Sequence, residues 1–349
     1  MTAGSEPGDF TYELPPDLIA QEPLSDRAAS RLLVLDRTTG SIEHRVFRDL
    51  LALIAPEDTL VVNTSRVIPA RLLGVRESPN GERKPAELLL VRPAPDDTWL
   101  AMGHPGGKLK PGRRIHVGPD VTIEILEALG GGMRRVRFTG ALDAAAAMAK
   151  YGVVPLPPYI DRDPRPADRG RYQTVYAEHD GSVAAPTAGL HFTPELLAAI
   201  ERRGIARVAL DLHIGPGTFK PVAAEHFEGH IMHAEAYAVS PEAAAAINAR
   251  RAAGGRVWAV GTSVVRTLET TADVSGVVHA GQGETRLFIH PPYRWRVVDK
   301  LITNFHLPRS TLLMLVSAFG GYEPVMRAYR AAVADRYRFY SYGDAMAIV

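Results

Sequence analysis

The segment RLLGVRE at positions 71–77 opens the stretch that decides the fold, and MRRVRF at positions 133–138 closes it. Between them lie AELLLVRP (86–93), TWLAMG (98–103), RRIHVG (113–118) and VTIEILEAL (121–129). Most of these segments are rich in Val, Ile and Leu, and Pro, Gly and Asp separate them at close intervals. Repeated short strands joined by turn residues predict a small all-β barrel or sandwich over about residues 69–149.

The regions on either side of this stretch mix strands with helices. Residues 31–62 predict a strand, a hairpin-like return, a short helix and a second strand. After residue 172, Thr193 and Pro194 begin a helix, and strands continue to alternate with helices through SPEAAAAINARRAAGG, RVWAVG and SVVRTLETT. Alternation of this kind is typical of an α/β layer. We therefore predict an α/β fold, a discontinuous α/β layered domain (1–68 and 150–349) with an inserted small β-barrel domain (69–149).

Composition limits the kinds of protein that this chain can be. Its 349 residues are 46% hydrophobic and suffice for two folded domains. The absence of cysteine excludes disulfides, a thiolate nucleophile and cysteine-based metal sites. A net charge of +1 leaves any nucleic-acid contact to local basic patches. Because the sequence has neither an apolar run of about 18 residues nor a signal peptide, we expect a cytoplasmic protein that does not associate with membranes.

Two polar segments that contain histidine are candidates for the active site. In SVAAPTAGLHFTPE (182–195), Thr187, Gly189 and His191 come close to a helix start, where backbone N–H groups favour an anionic or electron-rich ligand. The alternative is that Thr193 only caps the helix and His191 only packs. In DKLITNFHLPRSTLLMLVSAFGG (299–321), a polar run lies between an apolar strand and an apolar helix, and we expect it to line a cleft. That run contains Asn304, His306, Arg309, Ser310 and Thr311.

A third segment, ALDLHIGPGTFKPV (209–222), places Asp211 and His213 on one face of a strand. One of these groups can act as a base while the other orients it. The turn that follows contains Gly215, Gly217 and Thr218, and its glycines allow a ligand to approach the backbone closely. Gly-Pro-Gly is also a common turn, so the glycines alone are a weak signal.

The segment EHFEGHIMHAEAY (225–237) concentrates histidines. His226 and His230 are four residues apart and would share one face of a helix, as metal ligands do. Gly229 interrupts such a helix, and the HExxH motif is absent. We therefore expect no metal and favour acid–base or ligand-contacting roles for His230, His233 and Glu235.

In RVWAVGTSVVRTLET (256–270), a strand, a Gly-Thr-Ser turn and a helix follow one another. Gly261, Thr262 and Arg266 offer a cradle for a carboxylate or phosphate at the helix start. The alternative is an intrahelical ion pair between Arg266 and Glu269. Neither GxGxxG nor GxxxxGK[ST] occurs, so the sequence predicts neither a dinucleotide-binding fold nor a P-loop.

Read together, these segments resemble one family, the S-adenosylmethionine:tRNA ribosyltransferase-isomerases of queuosine biosynthesis. The resemblance runs through nearly the whole chain and rests on the strings DFTYELPPDLIAQEPLSDRAASRLLVLD, RVIPARL, GGKLKPG, PLPPYI, RYQTVYA, APTAGLHFT, HIGPGTF, HIMHAEAY, ITNFHLPRSTLLMLVSAFGG and RFYSYGDAM. It implies an α/β domain with an inserted β-barrel, as the strand spacing also predicts.

The resemblance also implies an activity. The ribosyl part of S-adenosylmethionine would be transferred and isomerised onto a 7-aminomethyl-7-deazaguanine at the tRNA wobble position. The products would be epoxyqueuosine-tRNA, adenine and methionine. No metal or cofactor is implied beyond S-adenosylmethionine, which is consumed as a substrate.

The implied chemistry can be matched to residue types. A sulfonium acidifies the neighbouring C5′ hydrogens, and protonation eases the departure of adenine. The candidate acids, bases and catalytic partners are His191, Asp211, His213, His230, His233, Glu235 and His306. The sulfonium needs carboxylate, carbonyl or aromatic neighbours, and the candidates are Asp211, Glu235, Asp344, Phe192 and Tyr342. The methionine carboxylate fits Arg266 or the helix start at Thr262 and Ser263.

The remaining predicted contacts concern substrate and tRNA. The predicted substrate-binding residues are Asn63, Arg66, Arg71, Thr187, Gly189, Gly215, Gly217, Thr218, Gly261, Thr262, Arg266, Asn304, Ser310, Thr311, Tyr342 and Asp344. For the last two, in RFYSYGDAM (338–346), the alternative is a core tyrosine and a solvated aspartate. The predicted tRNA-binding residues are Lys108, Lys110, Arg113 and Arg114, with Arg134, Arg135 and Arg137 as a second patch. Scattered solvated charges are the alternative for both patches, and we expect a monomer.

The chain also departs from the usual pattern of the family. It has Asn63-Thr64-Ser65-Arg66 where Asn-Asp-Thr-Arg is usual, His104 where a Lys precedes Pro-Gly, and Lys220 where an Arg follows Gly-Thr-Phe. Thr262-Ser263-Val264 replaces part of a Gly-Thr-Thr-Ser run. These changes leave open a relative that uses S-adenosylmethionine with a different acceptor. Outside that family, a histidine-based metal hydrolase and a non-catalytic RNA-binding module are the alternatives.

Overall fold

The computed structural model of the protein describes residue 4 and residues 6–77, 81–219, 222 and 224–349, without the side chains of residues 218 and 219. Its strands, in chain order, are β1 (Arg31–Leu35), β2 (Ile42–Val46), β3 (Thr59–Asn63), β4 (Ser65–Val67), β5 (Arg71–Glu77), β6 (Arg83–Ala94), β7 (Thr98–His104), β8 (Arg114–His116), β9 (Thr122–Gly130), β10 (Met133–Phe138), β11 (His179–Ser182), β12 (Ala206–Leu212), β13 (Glu235–Val239), β14 (Val257–Val260), β15 (Gly281–Thr285), β16 (Lys300–Asn304) and β17 (Ala345–Ile348). Its α-helices are α1 (Leu50–Leu53), α2 (Ala144–Tyr151), α3 (Asp168–Arg171), α4 (Pro194–Arg202), α5 (Pro241–Ala252), α6 (Thr262–Thr271), α7 (Thr311–Gly320) and α8 (Tyr322–Ala334).

A nine-stranded mixed sheet forms the centre of the α/β part, in the order β15-β13-β12-β3-β14-β16-β17-β1-β2. The four neighbours β12, β3, β14 and β16 are parallel, and antiparallel strands flank them on both sides. The carboxyl ends of the four parallel strands therefore lie at one edge of the sheet. Open α/β sheets bind their ligands at this edge.

Helices cover both faces of the sheet because the side chains of its strands alternate between two apolar cores. Leu60 and Val62 of β3 belong to the core that α1 and α4 cover. Val61 of the same strand belongs to the core that α5, α6, α7 and α8 cover. The helix starts predicted from sequence are confirmed: the hydroxyls of Thr193 and Ser240 cap α4 and α5, and proline occupies the first turn of each.

Strands β5 to β10 close into a six-stranded barrel in the order β10-β7-β6-β5-β8-β9. Fully buried aliphatic side chains such as Leu72, Leu88 and Val136 fill it. The α/β fold with an inserted barrel is thus confirmed, and the sandwich alternative is excluded. The barrel strands span residues 71–138, and α2 packs on them through Ala147 and Met148. The boundaries at residues 69 and 149 stay a prediction.

Among the described residues, no helix combines the length and the apolar character that a membrane crossing requires.

Candidate functional site

A pocket, here called the carboxyl-end pocket, opens where β14 and β16 end, and its empty space of about 560 Å³ includes open solvent. Thr187 reaches it from the first of the two segments singled out by sequence, and Asn304 and His306 reach it from the second. These two segments therefore meet in space. The pocket is lined by Tyr159, Ala185, Pro186, Thr187, Ala188, Ile214, Gly261, Thr262, Ser263, Thr303, Asn304, Phe305, His306, Leu307, Leu312, Tyr340 and Ser341.

The start of α6 forms one wall of the carboxyl-end pocket. Gly261 links β14 to α6 with a φ of 90°, a backbone conformation that favours glycine. Thr262 and Ser263 follow in the first turn of the helix, where backbone N–H groups have no partner within the helix. Such N–H groups, together with the helix dipole, favour an anion. This wall is therefore suited to a carboxylate.

Asn304, at the end of β16, is 2% exposed and has an unpaired acceptor in the pocket wall. Its Nδ2 donates to the carbonyl oxygen of Tyr340 at 3.0 Å, and this fixes the orientation of the amide because a carbonyl only accepts. Its Oδ1 is buried and has no hydrogen-bond partner among the described residues. A bound ligand with an N–H or O–H group would satisfy this oxygen.

His191 is buried behind Asn304, outside the wall of the carboxyl-end pocket. Its Nε2 lies 3.3 Å from Asn304 Nδ2 and must accept, so the ring carries its proton on Nδ1. Nδ1 then donates to Ser30 Oγ at 2.7 Å. Burial, assisted by Arg338, lowers the pKa of His191 to about 3. A neutral ring with both nitrogens engaged orients Asn304 and has no nitrogen left for proton transfer.

His306 lines the pocket directly and is held from several sides. Its backbone N–H donates to Tyr329 Oη at 2.9 Å, and its carbonyl accepts from Tyr12 Oη at 2.5 Å. In the ring, Nε2 lies 2.7 Å from Thr303 Oγ1, and Nδ1 has no partner among the described residues. Burial lowers the pKa of His306 to about 3, so the ring is neutral near pH 7. It can offer a ligand one uncharged nitrogen.

A second cavity, here called the interdomain cleft, separates the barrel from the sheet and has an empty volume of about 1430 Å³. Its walls are mainly apolar, and Ile214 lies in the walls of both cavities, which are therefore neighbours. Gly215 and Glu235, which the sequence predicted to contact a ligand, also border the cleft. The cleft is lined by Ile68, Pro69, Val91, Arg92, Pro93, Trp99, Ala145, Met148, Ala149, Asp180, Gly181, His213, Ile214, Gly215, Ala234, Glu235 and Ala236.

The predicted pairing of Asp211 with His213 does not occur. Asp211 Oδ2 instead lies 2.8 Å from Nδ1 of His179, and Thr64 Oγ1 donates to Asp211 Oδ1 at 2.9 Å. His213 lies in the wall of the cleft, and its buried Nδ1 has no partner among the described residues. Burial lowers the pKa of His213, and the charge of Asp211 opposes that shift. The sequence missed His179 because no pattern links an isolated histidine to an aspartate 32 positions away.

Arg266 and Glu235 form a buried ion pair beside the cleft. Arg266 Nη1 donates to Glu235 Oε2, and Gly215 N–H donates to Glu235 Oε1 at 2.8 Å. The alternative considered from sequence, an ion pair of Arg266 with Glu269, does not form, because Glu269 accepts the backbone N–H groups of residues 296–298. Arg266 is absent from the wall of the carboxyl-end pocket. A methionine carboxylate in that pocket would therefore depend on the start of α6.

The histidine-rich segment forms no long helix. Phe227–Gly229 is a single 3-10 turn, and His226 Nδ1 contacts Glu6 Oε2 at 2.9 Å, so the helical metal pair considered from sequence does not form. The His230 ring packs edge-on against Phe288. Partial burial and the nearby His233 lower its pKa. Among the described residues, no three His, Asp or Glu side chains are placed to share a metal ion.

Three residues near β4 and β5 that were predicted to contact substrate bond to other residues of the protein. The buried Asn63 amide donates to the Leu212 carbonyl at 2.9 Å and accepts from the N–H of that residue at 3.1 Å. Arg66 is half exposed and donates to the Ala177 carbonyl. Arg71 pairs with Glu87 at 2.6 Å and borders a third cleft. Their roles as substrate contacts stay predictions.

Other predicted contacts have a structural function in the described chain. Ser310 Oγ accepts from Leu313 N–H and caps α7, and Thr311 is the first residue of that helix. At Gly189, a Cβ would lie 2.1 Å from Tyr176 Oη, so glycine is required by packing. At Gly217, a Cβ would lie 2.5 Å from the His233 ring. The side chain of Thr218 lies outside the described residues.

Tyr342 and Asp344 lie away from the carboxyl-end pocket. Tyr342 Oη donates to Asp168 Oδ1 at 2.9 Å. Asp344 is 2% exposed, accepts N–H groups from Arg31 and Arg338, and pairs with the Arg31 side chain at 3.2 Å. The alternative of a solvated Asp344 is therefore wrong. From the same C-terminal string, Tyr340 and Ser341 line the pocket, and sequence analysis passed over the serine.

The first basic patch lies on an exposed loop of the barrel. Lys108, Lys110 and Arg114 are exposed and form no ion pair among the described residues, although Glu124 of β9 lies opposite Arg114. Arg134 was predicted to belong to a second patch, but this is wrong, because it is 9% exposed. Its guanidinium donates to the carbonyls of Leu109, Gly106 and Met133.

Arg134 therefore anchors the loop that carries the lysines. Arg135 pairs with Glu127 at 3.2 Å, and Arg113 donates weakly to the Glu77 carbonyl at 3.4 Å. Of the predicted second patch, Arg137 is exposed and forms no ion pair among the described residues. Of the two predicted patches, the one at residues 108–114 is therefore the more exposed.

The fold is that of an α/β protein with an inserted β-barrel and a pocket at the carboxyl ends of its parallel strands. The chain belongs to the queuosine biosynthesis protein family, which it matches over residues 8–348. The resemblance read from its strings is confirmed.

Relatives match the whole chain. The chain is 52% identical to the S-adenosylmethionine:tRNA ribosyltransferase-isomerase of Moorella thermoacetica, covering 98% of this chain and 99% of that protein. It is 51% identical to the protein of the same name from Symbiobacterium thermophilum, with the same coverage. The crystal structure of S-adenosylmethionine tRNA ribosyltransferase from Thermotoga maritima is 38% identical, with a TM-score of 0.55 and coverage of 97% of this chain and 99% of that one.

Proposed function

We propose that this protein transfers and isomerises the ribosyl moiety of S-adenosylmethionine onto 7-aminomethyl-7-deazaguanine at the tRNA wobble position. The products are epoxyqueuosine-tRNA, adenine and methionine. The observation that carries the proposal is the match to S-adenosylmethionine:tRNA ribosyltransferase-isomerases, which covers 98% of the chain at about half identity. The enzyme is accordingly a transferase of queuosine biosynthesis.

S-adenosylmethionine is proposed to bind in the carboxyl-end pocket. The start of α6, with Thr262 and Ser263, would receive the methionine carboxylate. The unpaired Oδ1 of Asn304 would accept from an amino or hydroxyl group of the substrate. The neutral ring of His306 offers Nδ1 without placing a second positive charge beside the sulfonium. All three features lie in the wall of one pocket, which supports this assignment.

The acceptor is proposed to enter through the interdomain cleft. A base in a single-stranded loop can be unstacked and held in a protein pocket, and the cleft offers the apolar Trp99 and Met148 beside the polar His213. Lys108 and Lys110 on the barrel would contact phosphates of the same tRNA. Because Ile214 borders both cavities, a base in the cleft would lie next to S-adenosylmethionine in the pocket.

Four further properties are proposed on the same basis. We propose that S-adenosylmethionine is consumed as a substrate, with no metal or further cofactor. We also propose that the enzyme works as a cytoplasmic monomer. Its barrel domain is proposed to extend over residues 69–149. Metal analysis of the active enzyme would directly test the proposal that it needs no metal. Its mass in solution would directly test the proposal that it is a monomer.

The test of the activity incubates the protein with S-adenosylmethionine and tRNA that carries the aminomethyl-deazaguanine. We expect equal amounts of adenine and epoxyqueuosine-tRNA, and no product with the same tRNA carrying guanine. Adenine release without a tRNA product would instead favour a different acceptor. Thr64 and His104 differ from the usual family residues and motivate that alternative; the third departure, Lys220, lies outside the described residues. Absence of both products would refute the activity.

A further inference from the structure

Three side chains form a connected polar cluster at the side of the sheet that faces the barrel. His179, the first residue of β11, places Nδ1 2.8 Å from Oδ2 of Asp211 on β12. Thr64 Oγ1 donates to the other oxygen, Asp211 Oδ1, at 2.9 Å. The backbone N–H of His179 donates to the Thr64 carbonyl at 3.3 Å, which closes the connection between the strands.

This cluster fixes the state of the His179 ring. A carboxylate only accepts hydrogen bonds, so Nδ1 carries a proton and Nε2 is the ring nitrogen left to exchange a proton with a ligand. The Asp211 side chain is 17% exposed and is held by Thr64, whereas the His179 side chain is 61% exposed. A histidine oriented by a fixed carboxylate, with its second nitrogen accessible, is the arrangement used for proton transfer.

The cluster lies at the edge of the interdomain cleft. Asp180 and Gly181, which follow His179 on β11, line the cleft. His179 and Asp211 both lie close enough to His213 for their charges to act on its pKa. A Cβ at Gly181 would lie 2.8 Å from the ring of His213, which also lines the cleft. His179 is thus on the side from which the acceptor base would enter.

The other histidines near the two cavities are less suited to accept a proton. His191 uses both ring nitrogens within the protein, and His306 has one nitrogen bound to Thr303. Burial lowers the pKa of both residues to about 3, so they are weak bases. In His213, Nδ1 is buried and burial again lowers the pKa. His179 alone among these four combines a carboxylate partner with an exposed second nitrogen.

We propose that His179, oriented by Asp211, is the general base for the acceptor amine, an inference that rests on the function proposed above. The acceptor's aminomethyl group is protonated in water and cannot attack in that form. An N–H bond of this ammonium breaks, its electron pair stays on nitrogen, and the proton moves to His179 Nε2. The freed pair then forms the bond from nitrogen to the ribosyl carbon while the bond from that carbon to adenine breaks, and adenine leaves with the electron pair of that bond. Asp211 and Thr64 are positioning residues in this scheme.

The test compares His179→Ala with His279→Ala. His279 is a matched control because it is equally exposed, at 62%, and its Nε2 lies 2.9 Å from Asp273, away from both cavities. General bases contribute roughly 100- to 10,000-fold. We expect His179→Ala to lower kcat at least about 100-fold, with Kd for S-adenosylmethionine unchanged and partial recovery on adding imidazole. His279→Ala should keep wild-type kcat.

A second variant separates catalysis from folding. Asp211→Asn keeps the shape of the side chain and removes the charge that holds the His179 ring, so kcat should fall while KM for tRNA is retained. If His179→Ala keeps kcat within about threefold of wild type, or if the loss lies wholly in the Kd for S-adenosylmethionine, the base assignment is overturned while the activity stands. Wild-type protein that forms no adenine and no modified tRNA would overturn the proposed function and this inference together.

Discussion

Two buried neutral histidines make the stability of the protein depend on pH in a calculable way. His191 and His306 have pKa values lowered by burial to about 3, below the ordinary value near 6.5. Both are uncharged when the protein is folded, whereas the unfolded chain takes up protons at about pH 6.5. The unfolded state therefore binds more protons, and the free energy of unfolding decreases as the pH falls from 6.5 towards 3.

The magnitude follows from the size of the shift. Each pH unit below 6.5 costs about 1.4 kcal/mol for each group, so acidification to pH 5 costs about 2 kcal/mol per histidine and about 4 kcal/mol for both. Carboxylates with lowered pKa, such as Asp168, act with the same sign but only below about pH 4. The range between pH 7 and pH 5 therefore isolates the histidines.

Urea unfolding at pH 7 and pH 5 measures this difference in the wild type and in His191→Gln and His306→Gln. Each variant removes one titrating ring. Each should therefore reduce the difference in the free energy of unfolding between pH 7 and pH 5 by about 2 kcal/mol, whatever the effect of the substitution on stability at pH 7. The comparison uses the change with pH, so a uniform loss of stability on substitution cancels. If the difference stays as large in both variants as in the wild type, the two rings are not the neutral buried groups described here.

Three further tests by substitution concern other parts of the structure. Asn304→Ala removes the amide that donates to Tyr340 and His191, so it should lower the free energy of unfolding by about 2–4 kcal/mol. It should also weaken the binding of S-adenosylmethionine measured by calorimetry. Unchanged affinity would show that Asn304 does not belong to the substrate site. Glu269→Gln weakens the hydrogen bonds that this side chain accepts from three backbone N–H groups, so it should lower the free energy of unfolding in urea by about 2–3 kcal/mol. The control Glu201→Gln, at an exposed position, should change the free energy of unfolding by less than about 0.5 kcal/mol. Charge reversal at Lys108 and Lys110 should weaken tRNA binding and reduce the slope of log affinity against log salt by about 1.4, while unchanged affinity and slope would show that this loop does not contact phosphate.

Local patterns in the sequence predicted the secondary structure and the architecture well. The hydroxyls of Thr193 and Ser240 cap α4 and α5, whose starts the sequence predicted, because capping depends on neighbours within three residues. The barrel was recognisable because turn residues and short segments rich in Val, Ile and Leu recur along the chain itself. Whether the strands closed into a barrel or stacked as a sandwich depended on pairing between distant strands, and only the structure decides it.

The candidate site shows the same division more sharply. The sequence by itself determined the family, the fold class and two of the segments that form the pocket, because these are carried by strings of neighbouring residues. Only the tertiary structure decided the partners of each polar group: Asp211 holds His179 and not His213, Arg266 binds Glu235 and not Glu269, and Arg134 supports a loop from inside. Hydrogen bonds and ion pairs act over about 3 Å, and the chain brings groups to that distance by folding, without regard to their separation in sequence.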